Sequence, residues 1–449
     1  MRVLVIGAGN AGQNLAGKLC AEKHDVILID REAGRLEEAQ SKLDILTIEG
    51  GGSSPRTLDK AEVSKADMVV AVTDDDEVNL LACSLAHAAG VPHTVARVSD
   101  IDYVTPPEAF DLRRLGADLI VNPKQECAQE IFNILRMPGT LEAVDLFEGR
   151  ILAVGIKVHM DSPLIRSPLK SFENPELLQR IRFIAVTRGA EMLVPHGDTQ
   201  FLIGDDVYFA GKPEDVASFL HWAWPEHARF RRVVIAGGGS LGLTLAQLLE
   251  SSEVDIVLIE KSEERANHCS GVLNRTLVLH GDALEQETIR NAGILDDTAF
   301  VAATSSDENN IIGCLLAEKM GARFTLAQVA KPEYVPIIDN LSLLDRAVSP
   351  PLSMINAILH FVRGKHVKAA ALFHRLPGEL LEVALPAGSR PAGQAIKDVK
   401  LPRGSLIASV LRGDEVLVAT GDLVLREGDR LLLFALPDTV GKISNLFQR

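Results

Sequence analysis

A chain of 449 residues, 47% of them apolar, has room for about three to four domains with cores of their own. Its 61 acidic and 46 basic residues leave a formal charge of −15, which argues against nucleic acid or anionic lipid as direct partners and points to proteins and small molecules. Cys20, Cys83, Cys127, Cys269 and Cys314 show no CxxC spacing, which speaks against both a disulfide framework and a thiolate zinc site.

The first apolar run, Arg2 to Ile6, enters Gly7-Ala8-Gly9-Asn10-Ala11-Gly12 and then a helix with Ala11, Leu15 and Leu19 at helical spacing. A second strand follows from Val26 to Asp30, then a helix with Leu36, Ala39 and Leu43 on one side, a third strand over 44–48 and the loop EGGGSSP. The fourth strand, MVVAV, discharges into Thr73-Asp74-Asp75-Asp76-Glu77, an acid run that N-capping and helix-dipole complementation explain without a metal. A fifth strand, TVARV, carries Arg97, a sixth ends at Val121, and Pro123 starts a crossover helix. Continuous apolar strands alternating with amphipathic helices predict a parallel sheet covered on both faces, the doubly wound Rossmann-like arrangement. From Leu141 the texture changes to short alternating runs, EAVDLF, ILAVGIKV, RFIAVTRG and DDVYFAG, which predict a small α+β module. HWAWPEHARF, from His221 to Phe230, reads as a linker forming a packed hinge.

The second half writes the first again. Gly237-Gly238-Gly239-Ser240-Leu241-Gly242 repeats the glycine turn 230 residues on, Glu260 takes the place of Asp30, and Thr304, Asp307, Glu308 and Asn310 match Thr73, Asp76, Glu77 and Asn79 at an offset of 231. Arg188-Gly189, Gly197-Asp198 and Gly204-Asp205 match Arg412-Gly413, Gly421-Asp422 and Gly428-Asp429 at an offset of 224. Matches in register across several segments mark a tandem duplication. The expected domains are therefore residues 1–138 and 230–363, Rossmann-like, each followed by a small module at 139–223 and 364–449.

A GxGxxG turn between strand and helix brings backbone N–H groups and a helix N-terminus up to a pyrophosphate, and an acid ending the next strand takes the ribose hydroxyls. Ligands of an open parallel sheet lie beyond its strand ends, so the first crevice is expected to use Gly7, Ala8, Gly9, Asn10, Ala11, Gly12, Asp30, Thr73, Asp74 and Arg97. Arg97 would meet phosphate oxygens; the competing reading is a structural ion pair with a nearby acid. Asp30 favours NAD or an adenine nucleotide over NADP, with Arg31 weakening the preference. The second crevice would use Gly237, Gly238, Gly239, Ser240, Leu241, Gly242, Glu260, Asp282 and Thr304, but Gln328 replaces Arg97 and Asp282 replaces Gly51, so it should hold a triphosphate less well. No catalytic or metal-binding residues are expected. The GxSxG over Gly238 to Gly242 belongs to the phosphate turn, and Tyr208 and Lys212, at YxxxK spacing, fall on a strand end and turn, with Leu432 and Leu436 in the second copy.

These features together, the paired glycine turns with Asp30 or Glu260, the run VAVTDDDEVN, the ARV strand with Arg97 and the trailing GD-rich modules, resemble the RCK (regulator of K⁺ conductance) domains of TrkA-type peripheral subunits of bacterial potassium uptake systems. The resemblance covers essentially the whole chain. It implies tandem RCK_N/RCK_C repeats in a nucleotide-responsive regulator, a homotetrameric gating ring, cytoplasmic and held at the inner face of the cell membrane by a potassium transporter of the TrkH or TrkG type. It also implies NAD(H), ATP and ADP as ligands and puts the family's phosphate-contacting arginine on Arg97, while Gln328 and Gly51 depart from the family pattern. No apolar run approaches the ~18 residues of a membrane span, and the chain enters its first strand before a signal-peptide core develops, so direct membrane insertion is not expected. Two other readings remain: an NAD-dependent oxidoreductase, which would need an acid or base facing the nicotinamide, and a nucleotide sensor for another cation transporter.

Overall fold

The computed structural model describes residues 1–104, 112–137, 140–189, 191–223, 230–341, 343–363, 369–372, 376, 378–386, 388–436, 439, 442–443 and 446–447. The chain divides into two compact units, Met1–Phe132 with Phe230–Phe361, and Asn133–Arg229 with Val362–Arg449.

The first unit holds two sheets of one design. In the first half the order is β1 (Arg2–Ile6), α1 (Asn10–Ala21), β2 (Asp25–Asp30), α2 (Ala33–Lys42), β3 (Leu46–Glu49), α3 (Pro55–Lys60), β4 (Met68–Ala71), α4 (Asp76–Ala88), β5 (Thr94–Arg97), α5 (Ile101–Val104), β6 (Leu119–Val121) and α6 (Pro123–Arg136). The strands pair in parallel in the order β3-β2-β1-β4-β5-β6. Val3, Leu4, Val5 and the four residues of β4 are fully buried, as a sheet covered on both faces requires. The third strand starts two residues later than the sequence suggests: the Ile45 amide donates to the Leu43 carbonyl at 3.1 Å, and the ladder with β2 begins at Leu46.

The second half contributes its own sheet to the same unit. Its elements are numbered after those of the first small module, which comprises β7 (Thr140–Leu146), β8 (Ile151–Lys157), α7 (Pro175–Leu178), β9 (Ile181–Arg188), β10 (Glu191–Leu193), β11 (Asp206–Gly211) and α8 (Pro213–Ala223). They are β12 (Arg232–Ala236), α9 (Ser240–Leu249), β13 (Asp255–Glu260), α10 (Glu263–Val272), β14 (Leu277–His280), α11 (Gln286–Asn291), β15 (Thr298–Ala302), α12 (Asp307–Lys319), β16 (Phe324–Gln328), α13 (Tyr334–Leu341), β17 (Arg346–Val348) and α14 (Pro350–Arg363). The parallel order β14-β13-β12-β15-β16-β17 copies the first sheet. The last helix leaves its own half: Ser353 Oγ on α14 donates to Glu130 Oε2 on α6 at 2.6 Å, Lys18 Nζ on α1 donates to Asn356 Oδ1 at 3.2 Å, and the Phe361 ring stands edge-on to His93.

The second unit holds two antiparallel sheets, ordered β10-β9-β11-β8-β7 and, from β18 (Ala369–Leu372), β19 (Glu379–Ala384), β20 (Ser405–Arg412), β21 (Glu415–Val418) and β22 (Arg430–Ala435), β18-β19-β22-β20-β21. Inward-facing side chains of both, among them Phe147, Tyr208, Leu380, Leu432 and Phe434, form one shared core. The repeated Arg/Gly-Asp matches have a structural meaning. Arg188 clamps the buried Asp205 with two hydrogen bonds of 2.8 Å, and Arg412 clamps Asp429 with two of 2.9 Å. The expected linker begins later than His221, because α8 continues to Ala223 with Trp222 packed against Phe172 and Phe219. The rest of that stretch, 224–229 with Trp224 and His227, lies outside the described residues, as do positions 138–139 and 364–368 at the expected module starts.

Candidate nucleotide clefts

The glycine turns set the geometry. Gly7 has φ +105°, a backbone conformation that favours glycine, and a Cβ on Gly12 would stand 1.8 Å from the Gly7 carbonyl oxygen, so helix α1 can approach the turn only without a side chain there. The second copy repeats both constraints, with φ +111° at Gly237 and 2.0 Å between a Gly242 Cβ and the Gly237 oxygen. Both following helices, α1 and α9, start without a side-chain cap, whereas α4, α10 and α12 are capped by Asp75, Ser262 and Ser306. Uncapped first-turn N–H groups at a helix N-terminus leave donors and a positive dipole end for an anion.

The acids close the turns from the side. Asp30 Oδ2 accepts from the Ala8 N–H at 2.6 Å and Oδ1 from the Glu32 N–H at 2.9 Å; Glu260 does the same for Gly238 at 2.7 Å and Ser262 at 2.8 Å. Each carboxylate oxygen retains a lone pair for a ribose hydroxyl. The side chains of Ala8 and Leu241 are buried, which leaves only their backbones for a ligand.

Opposite the turn, the ends of β4 and β5 are tied together by Asn79, fully buried on α4. Its Nδ2 donates to the carbonyls of Thr73 and Arg97, at 3.0 and 2.9 Å, and its Oδ1 accepts from the Thr73 N–H and hydroxyl. Asn310 makes the same four bonds to Thr304 and Gln328. The sequence marked Asn79 and Asn310 only as repeat matches; an amide at the same register in both copies was the available signal. Of the acid run, Asp75 is the cap, accepting from the Val78 N–H at 2.9 Å. Asp76 does something else, accepting from the Ser99 and Asp100 N–H groups, and Asp307 holds Ala330 and Lys331 in the same way. Asp74 forms an ion pair with Arg97 at 2.8 Å, so the guanidinium has the structural partner that was its competing reading, while it still faces the cleft.

These elements enclose a cleft of about 930 Å³ lined by Gly7, Ala8, Gly9, Asn10, Ala11, Asp30, Thr73, Asp74 and Arg97; Gly12 sits behind the turn. Three features of it were not drawn from the sequence. Arg35, ion-paired with Glu32 at 3.0 Å, lines it from α2. Lys124 lines it from the first turn of α6. Pro350, Pro351 and Met354 line it from α14 of the other half, a long-range contact that no local pattern encodes.

The second set of residues is arranged alike but charged differently. Gln328 and Ser305 stand where Arg97 and Asp74 stand in the first. The carboxylate gained at Asp282 is neutralised by Lys261 at 2.8 Å, and this bond, followed by the Leu284 amide, holds its carboxyl below the usual range. A cation overlooked in the sequence is also present: Arg265 Nη2 donates to the Gly238 carbonyl at 3.3 Å, directly on the glycine turn. Arg265 occupies the position that Arg35 holds in the first copy, so the second set still lacks one cation, that of Arg97. Burial, together with the Glu260 charge, pushes the Cys269 thiol up beside the same carbonyl, so the thiol stays neutral.

The TrkA-N domain model matches residues 3–123 and 233–350, and the TrkA-C domain model matches 153–223 and 380–448. The Trk system potassium uptake protein TrkA of Halomonas elongata is 34% identical over 454 residues, covering 100% of this chain and 99% of that protein. The chain belongs to the TrkA family of Trk system potassium uptake proteins. TrkA of Vibrio alginolyticus, at 31% identity, and a TrkA homolog of Archaeoglobus fulgidus, at 33%, also match across 100% of the chain. Among solved structures, the GsuK RCK domain superposes with a TM-score of 0.60 at 20% identity over 99% of this chain and 94% of that one, and the GsuK channel bound to NAD with 0.61 at 21% over 99% and 78%. The family match and these neighbours establish the tandem α/β RCK architecture expected from the motifs. Among the described residues of this TrkA-family chain no helix is long and apolar enough to cross a membrane.

Proposed function

We propose that the chain is a nucleotide-binding regulatory subunit of a potassium uptake transporter, acting by binding rather than by turnover. The observation that carries the reading is the first cleft: an uncapped helix N-terminus behind a glycine turn, with Asp30 at its side and Arg97 across it. Its ligands are NAD(H), ATP and ADP, bound by Gly7 to Gly12, Asp30, Thr73, Asp74 and Arg97, with the residues at Gly237 to Gly242, Glu260, Asp282 and Thr304 forming a second, less cationic site. NAD is also the molecule bound in the GsuK channel structure that shares this fold. The nucleotide-binding domains are 1–138 and 230–363, with small modules at 139–223 and 364–449. The subunit works in the cytoplasm as a homotetrameric ring on a TrkH- or TrkG-type membrane protein. Ligands of different phosphate charge favour different closures of the cleft, and that difference in binding free energy biases the transporter. The test is to purify the tagged chain from detergent-solubilised host membranes and identify what accompanies it. Recovery of a polytopic potassium transporter supports the reading; recovery of the assembled chain with no membrane protein overturns it.

A further inference from the structure

The sequence points to Arg97 as the cation for phosphate oxygens, but in the structure Arg97 is engaged by Asp74, and the pair brings no net charge to the cleft. On the same side of the sheet lies a second cation. Lys124 is exposed in the first turn of α6, lines the cleft, and its ammonium has no partner among the described residues. Its place follows from the strand order. Strands lie ~4.8 Å apart, so Lys124, just beyond β6, stands four strands or roughly 19 Å across the sheet from Asp30 at the end of β2. A nucleotide with its ribose on Asp30 and its first phosphate at the glycine turn of β1 extends its remaining phosphates across β4 and β5, toward β6.

Resting on the nucleotide reading above, we propose that Lys124 is the residue by which the first cleft counts phosphates, its ammonium reaching the terminal phosphate of a nucleoside triphosphate. The internal duplication supplies an independent argument. The helices α6 and α14 both open with proline, Pro123 and Pro350, and the next residue is Lys124 in one and Pro351 in the other. Both of these equivalent residues line the same first cleft, because α14 crosses onto the first half. One copy of the position thus contributes a charge and the other an apolar wall. The second half, with Pro351 and Gln328, lacks both cations of the first half's far wall.

The experiment is calorimetric titration of the full chain and of its Lys124→Gln and Lys124→Arg variants with ATP, ADP and NADH. Because Lys124 is exposed, the substitutions leave the fold intact. Expected is a loss of about tenfold in ATP affinity for Lys124→Gln, with ADP and NADH changed by about twofold or less, and recovery of the ATP preference in Lys124→Arg. Unchanged ATP affinity, or equal losses for all three ligands, in a chain whose wild type binds them would overturn the role of Lys124 while leaving the nucleotide reading in place. A wild-type chain that binds none of the three removes that reading and this inference together.

Discussion

Thr73 and Asn79 are joined by three hydrogen bonds: the Thr73 N–H and hydroxyl both donate to Asn79 Oδ1, at 2.9 and 2.7 Å, and Asn79 Nδ2 donates to the Thr73 carbonyl at 3.0 Å. A further bond of 2.9 Å from Asn79 to the Arg97 carbonyl makes this amide the strut between the two strand ends that face the glycine turn. Leucine keeps the branching at Cγ but is bulkier and has no polar atoms. Asn79→Leu therefore strands buried backbone groups, at a cost of about 1–3 kcal/mol, and releases the Arg97 backbone. The expected outcome is a lower thermal midpoint together with weaker nucleotide binding, each readable on the purified chain. A variant that melts like the wild type and binds equally well would show that the strut carries no weight.

Ion pairing with Asp74 sets how much of Arg97 is available to a ligand. Asp74 is almost fully exposed, so its removal costs the fold little. Asp74→Ala is expected to tighten ATP binding by about two- to fivefold, and Arg97→Ala to weaken ATP more than NADH. Titrations of the two variants side by side decide it. Equal losses for ATP and NADH on removing Arg97 would count against a phosphate role for the guanidinium.

The glycine turn separates folding from binding. At Gly12 any Cβ meets the backbone oxygen of Gly7, which cannot move aside, and Gly12→Ala is expected to cost more than about 3 kcal/mol or to prevent folding of the first half. A Cβ on Gly9 has nothing within 4 Å and its φ of −68° suits alanine, so Gly9→Ala should stay within about 0.5 kcal/mol of wild type. That alanine would still place a methyl where the phosphates come closest, and the expected result is a nearly unchanged melting curve with nucleotide affinity reduced about tenfold.

What the sequence revealed followed the range of the interaction. The apolar runs of β1, β2 and β4, the positions of Gly7 and Gly12 and the capping of α4 are set by neighbours a few residues away, and all were readable as patterns. The duplication was readable because Asp76 and Asp307, or Arg188 and Arg412, keep their spacing. Contacts that depend on which helix face meets which distant element were not. Arg265 on the Gly238 carbonyl, Lys124 in the cleft and Pro350 crossing from the other half are of this kind. Asn79 lay between the two classes: its recurrence at Asn310 was visible, but its burial and its four bonds emerged only with the strand ends in place.

A paired exchange distinguishes the second glycine turn from the first. At the positions of Ala8 and Ala39 in the first copy, the second copy has Gly238 and Cys269, at the same offset of 230. A Cβ on Gly238 would stand 2.9 Å from Cys269 Sγ and 3.0 Å from Glu260 Oε2, while the buried thiol fills the space that the missing methyl leaves. Gly238→Ala alone therefore overpacks the turn and should cost about 1–3 kcal/mol, and Cys269→Ala alone opens a small void. The double variant rebuilds the first copy's pair and should recover much of the loss, because residues in contact are not additive. Thermal melts of the four chains give the coupling directly. Additive effects would mean that the two substitutions are independent and that Glu260, rather than Cys269, is what keeps position 238 a glycine.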